Sequence, residues 1–120
     1  MASIPSTMTA IAISKPGTPD VLVPQQMPVP QPGEAELLVK VEAAGVNRPD
    51  VFQRMGNYPP PKGVTDIPGL ELAGEVIALG PNTKRFKVGD KITALAAAST
   101  IVMPFGIGSA CGSGTTQYCA

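Results

Sequence analysis

Apolar and polar residues alternate most clearly from Glu34 to Val46, where Leu37, Val39, Val41 and Ala43 fall on one face and Leu38, Lys40 and Glu42 on the other. This period of two is that of a half-buried strand. A second alternation runs from Leu70 to Leu79, with Leu72, Gly74, Val76 and Ala78 interleaved with Ala73, Glu75 and Ile77. Shorter runs predict a first strand over Thr9 to Ser14 and another that leaves the Phe86-Lys87-Val88-Gly89-Asp90 turn and ends near Leu95. Val21 to Val29 mixes apolar residues with prolines, as an edge strand does when its N–H groups face solvent. Lys15 to Asp20, Pro32-Gly33, Ile67-Pro68-Gly69 and Gly80-Pro81-Asn82-Thr83 supply the corners. Helical signals concentrate in one segment. Pro49 fits a first helical turn, Asp50 beside it complements the positive helix end, and Gly56 is a C-terminal stop. Short strands with Pro/Gly corners and one or two short helices predict a mostly β fold, a compact and partly open barrel.

With 120 residues the chain has room for one domain. Its 13 glycines and 14 prolines punctuate apolar runs without a repeat, so they read as turns. Lys plus Arg and Asp plus Glu both number 9, which provides no basic field for nucleic acid or an anionic membrane surface. Cys111 and Cys119 both fall in the last ten residues, poor material for a disulfide framework. Met1 to Ala10 lacks the basic start and apolar centre of a secretion signal, and no apolar run approaches the roughly twenty residues that span a bilayer. A cytoplasmic, soluble protein is expected, with a frayed leader over residues 1–8 and the folded unit from residue 9 to 120.

The strand ending at Val46 delivers a polar corner, Asn47-Arg48-Pro49-Asp50, and Asn57-Tyr58-Pro59-Pro60-Pro61-Lys62-Gly63 then presents Tyr58 on a stiff extended arm. Ala43 to Asp50, Pro68-Gly69-Leu70-Glu71-Leu72-Ala73-Gly74-Glu75-Val76 and Phe86 to Ile92, taken in order and at their separations, closely resemble the quinone oxidoreductase (zeta-crystallin-like) branch of the medium-chain dehydrogenase/reductase superfamily. The resemblance covers roughly Met8 to Leu95. It implies a GroES-like catalytic domain, followed in full-length members by a Rossmann domain that binds NADPH. It also implies hydride transfer from NADPH to a quinone or activated enone.

Zinc-dependent alcohol dehydrogenases of the same superfamily place a cysteine where this chain has Asn47 and a histidine where it has Leu70. Zinc takes thiolate, imidazole or carboxylate ligands, and the chain contains no histidine. A zinc-independent, metal-free site is therefore expected. By resemblance, Asn47, Arg48 and Asp50 lie beside the nicotinamide, Gln53 and Tyr58 face the substrate, and Asn47 and Tyr58 are the catalytic candidates. Arg54 is a further polar side chain of the same helix. Each has a plainer reading: Asn47 as a turn or cap residue, Asp50 as a helix N-terminal charge, Tyr58 as packing on the proline arm. Glu71, alone in an apolar strand, reads as a buried structural carboxylate satisfied by backbone donors or by Arg48.

Beyond Leu95 the chain departs from the family pattern. Ala96 to Cys111 reads as an atypical insertion, and Thr115 to Ala120 resembles the strand that should follow directly. The glycine-rich stretch Gly106 to Gly114 precedes no helix-forming run, so it is not a dinucleotide fingerprint. The apolar Ile101 to Phe105 segment either covers surface that a Rossmann domain would otherwise bury or pairs with a second copy of the chain. The chain then reads as the N-terminal domain of an NADPH-dependent quinone oxidoreductase, truncated, inactive alone and lacking most of its NADP site. The alternative is a stand-alone GroES-like binding or assembly module without catalysis.

Overall fold

The computed structural model describes residues 3–60, 62, 65–95 and, as backbone, 101–104. In chain order these form β1 (Thr7–Ile13), a 3₁₀ turn (Pro19–Val21), β2 (Leu22–Pro28), β3 (Leu37–Ala44), α1 (Arg48–Arg54), β4 (Glu71–Leu79), β5 (Lys91–Leu95) and β6 (Ile101–Pro104). β1 and β2 make one antiparallel ribbon, and the remaining strands make a sheet in the order β5-β4-β3-β6. The fold is mostly β, as the pattern predicts, and among the described residues the two sheets do not close into a barrel.

The ribbon begins earlier than expected. Thr7 and Met8 pair with Pro28 and Met27, and Ser6 accepts the Val29 N–H at 2.9 Å. Pro24 and Pro28 lie in β2, which pairs with β1 alone, the tolerated edge position for a residue without an N–H. Val21 leaves the expected strand for the 3₁₀ turn, where it is buried.

β3 is the centre of the larger sheet, and its environment corrects the simple two-faced reading. Leu37, Val39 and Val41 pack with Leu72, Val76 and Ala94 in the main core. Leu38, expected on the polar face with Lys40 and Glu42, is equally buried, because Val29 and the partly buried Met8, Ile77 and Ala78 cover that side. Ala43, expected on the core face, is exposed. Of two register shifts the second accounts for the change of parity, the first placing its extra residue, Ile77, in β4. Val39 pairs with Val76 where Leu38 pairs with Ala78, and Ala43 pairs with Ala73 where Val41 pairs with Gly74. Glu42 is thus an extra residue in β3, a bulge that turns the following side chains over.

Turn chemistry fixes the sheet's far corner. The Lys87 N–H donates to Asp90 Oδ2 at 3.0 Å, Gly89 takes a φ of 97°, and β4 grips the turn through Gly89 N–H to Val76 O and Val76 N–H to Asp90 O. The backbone of 101–104 pairs in parallel with Leu38 to Val41 of its own chain. Phe105, the Gly106 to Gly114 stretch, Cys111, Thr115 to Ala120 and parts of the proline arm (Pro61, Gly63) lie outside the described residues. Among the described residues no helix is long and apolar enough to cross a membrane.

Candidate functional site

The antiparallel order brings three strand ends together. Ala44 pairs with Leu72 and Leu72 with Ala94, so the end of β3, the start of β4 and the end of β5 share one edge. There they line a cleft of about 430 Å³ formed by residues 43–45, 71–73 and 93–95. Its walls are small and apolar apart from Glu71 and Thr93.

Beside this edge the chain turns from β3 into α1. Asn47 is the N-cap, in extended conformation, and its backbone N–H donates to Asp50 Oδ2 at 2.8 Å. Asp50 is a buried charged residue, 7% exposed, and its Oδ1 has no hydrogen-bond partner among the described residues. Both the helix and its N-terminal Asp therefore match expectation, with the start at Arg48 rather than Pro49. The side chain of Asn47 donates from Nδ2 to Glu71 Oε1 at 3.0 Å. Glu71 is exposed rather than buried, and its hydrogen-bonded partner is Asn47, not Arg48. The strand's first residue still faces the open end of the cleft, where burial has not begun.

The other expected site residues spread along the helix and its exit. The Arg48 guanidinium stands 5.4 Å from the centroid of the Phe52 ring, a cation–π distance. Gln53 Nε2 donates to the Asp66 carbonyl at 2.8 Å, and Arg54 Nε to the Gly17 carbonyl at 3.0 Å; both amide and guanidinium tie α1 to neighbouring loops. Tyr58, 47% exposed, follows the helix. Asn47, through Glu71, is the expected residue connected to the cleft; Arg48, Asp50, Gln53 and Tyr58 are not among its lining residues. Sequence reasoning passed over Gly45 and Thr93 and assigned Glu71 to structure. The signal for the first was a glycine in an otherwise Cβ-bearing strand, directly before the polar corner.

Among the described residues no group of three or more His, Cys, Asp or Glu side chains is placed to hold a metal.

A family model, the alcohol dehydrogenase GroES-like domain, matches residues 33–120, and the chain belongs to that family. Quinone oxidoreductases and alcohol dehydrogenases of the medium-chain dehydrogenase/reductase superfamily are among its relatives. The quinone oxidoreductase of Lama guanicoe is 40% identical over 93 residues, 77% of this chain and 28% of that protein. An alcohol dehydrogenase of Rhizobium meliloti is 41% identical over 86 residues, 72% of this chain and 25% of that protein. Among solved structures, a mycobacterial protein in complex with NADPH superposes with a TM-score of 0.67 at 39% identity, covering 76% of this chain and 28% of that one. The chain thus spans about a quarter of the length of the curated relatives it matches.

Proposed function

We propose that this chain forms the acceptor-side wall of a zinc-independent, NADPH-dependent reductase of quinones or activated enones, working with a dinucleotide-binding domain of the kind its relatives' length accommodates. NADPH, when bound, supplies the hydride. The residues of this chain hold and shape the acceptor. The largely apolar lining of the open-sided cleft offers one face to a flat ring, and Asn47 offers a hydrogen-bond donor at its mouth to the oxygen on which charge develops, with Tyr58 the further donor that the resemblance implies. By the resemblance, Arg48 would supply a cation on the cofactor's side of the corner, and Asp50 Oδ2 holds the backbone N–H of Asn47.

The observation that carries this reading is the donor set at the corner. An amide (Asn47) and an aliphatic side chain (Leu70) stand at the positions where zinc-dependent members, by the resemblance, carry ligands, and the 120 residues contain no histidine. With those groups, acceptors that take hydride without Lewis-acid assistance fit best. The structure solved with NADPH supports the choice of cofactor; the Rhizobium relative keeps an alcohol as the competing substrate.

The test is NADPH consumption by the full gene product with benzoquinone, before and after treatment with a chelator. Chelator-insensitive consumption is expected. Activity that vanishes with the chelator and returns with zinc overturns the zinc-free reading. A full gene product with no turnover favours the stand-alone binding module.

A further inference from the structure

We infer that Glu71 is a positioning residue that fixes the side chain of Asn47 at the mouth of the cleft, with Gly45 as the seat that leaves room for it; the kinetic consequence rests on the reductase reading above. A carboxylate accepts hydrogen bonds and does not donate them, so the 3.0 Å contact with Glu71 Oε1 defines which end of the Asn47 amide is the NH₂. The two residues belong to different elements, the N-cap of α1 and the first position of β4, and the sheet edge brings them together. Asn47 is then held twice: its backbone by Asp50 Oδ2 and its side chain by Glu71.

Gly45 makes this possible. Its N–H donates to the Glu71 carbonyl at 3.3 Å, and the Glu71 side chain crosses directly over it. A Cβ at position 45 would stand 2.7 Å from Glu71 Cδ and 2.8 Å from Cγ. The nearest atom of all is Glu71 Oε1, the oxygen that Asn47 donates to, so any larger residue at 45 displaces the carboxylate from Asn47. A donor held in one orientation before the substrate arrives needs no reorganisation during hydride transfer. A role confined to stability would leave turnover well below the melting temperature unchanged.

The test uses the full gene product with NADPH and benzoquinone, and compares Asn47→Ala, Glu71→Ala, Gly45→Ala and the Asn47→Ala/Glu71→Ala double variant. Each single change is expected to lower kcat by roughly tenfold to a hundredfold, the scale of a misplaced catalytic group. The double variant should be no slower than Asn47→Ala alone, because both changes remove one shared contact. Glu71→Gln, whose amide oxygen still accepts, should recover most of what Glu71→Ala loses. Losses that multiply in the double variant, or wild-type kcat in Glu71→Ala, overturn the inference. A wild-type protein without turnover sinks the reductase reading instead. The pairing is then decided by selective nitrogen labelling of asparagine: the Asn47 side-chain amide signal should move in Glu71→Ala and in Gly45→Ala while that of Asn82, bonded to Glu34 Oε1, stays in place. An Asn47 signal that does not move overturns the pairing.

Discussion

At Gly74 a Cβ would stand 3.0 Å from the carbonyl carbon of Lys40 and 3.0 Å from Val39 Cγ1. Backbone in the middle of a paired sheet cannot withdraw as a side-chain tip can, so Gly74→Ala is expected to cost about 1–3 kcal/mol, read as a lower urea midpoint with an unchanged slope. The alternation of β4 showed Gly74 on the core face; the close approach of β3 was invisible, because it depends on which strand lies alongside. Asp50 divides the same way. Its place in the first helical turn was legible from Pro49 and the apolar run before it. Its burial, and the use of Oδ2 to hold the Asn47 N–H, came only from the packing of α1. Removing that bond in Asp50→Ala should lower stability by about 0.5–2 kcal/mol, measurable by the same denaturation.

Among elements, β3 and its bulge show how one extra residue redirects chemistry. Glu42, turned out by the bulge, meets Lys91 Nζ at 2.7 Å, and Lys91 also meets Glu75 Oε2 at 2.9 Å. The hydrogen bond from Lys91, then its charge, hold the Glu42 carboxyl below the usual carboxylate range. The hydrogen bonds to Glu42 and Glu75 raise Lys91 above the usual ammonium value. A depressed carboxyl contributes stability above its unfolded pKa and loses it as pH falls through the folded one; a raised ammonium contributes below its unfolded pKa and loses it as pH rises through the folded one. The cluster therefore supports the sheet across the neutral range and fails at both extremes. Lys91→Met should flatten the acid-side fall in melting temperature below about pH 4.5, and added salt should shrink the difference between the two proteins because these groups are exposed. No sequence pattern announced this cluster, since its members lie on three strands. The helix α1 was legible in place and length, yet at 7 residues it is too short to persist alone. What holds it are Arg54 and Gln53 bonding across to Gly17 and Asp66, contacts that no local pattern announced.

For the whole molecule, the shared edge of β3, β4 and β5 gathers residues more than twenty positions apart into one open-sided cleft. On the proposed reductase reading, such a wall would contact a dinucleotide on one side only. The 120-residue chain by itself is therefore expected to bind NADPH at about millimolar strength or weaker, checked by titrating nicotinamide fluorescence; micromolar binding would show that these residues alone hold most of the cofactor.

The sequence by itself determined the mostly β class, the places of most strands along the chain, the site of the short helix and the polar corner at Asn47, because alternation, proline and glycine act within a few residues along the chain. Only the tertiary structure decided that Leu38 is core, that Ala43 is not, that the Gln53 amide is spent on Asp66, and that Glu71 reaches Asn47 over Gly45. Those outcomes depend on which strand lies beside which and where the register slips, and a one-residue shift sends every following side chain to the opposite face.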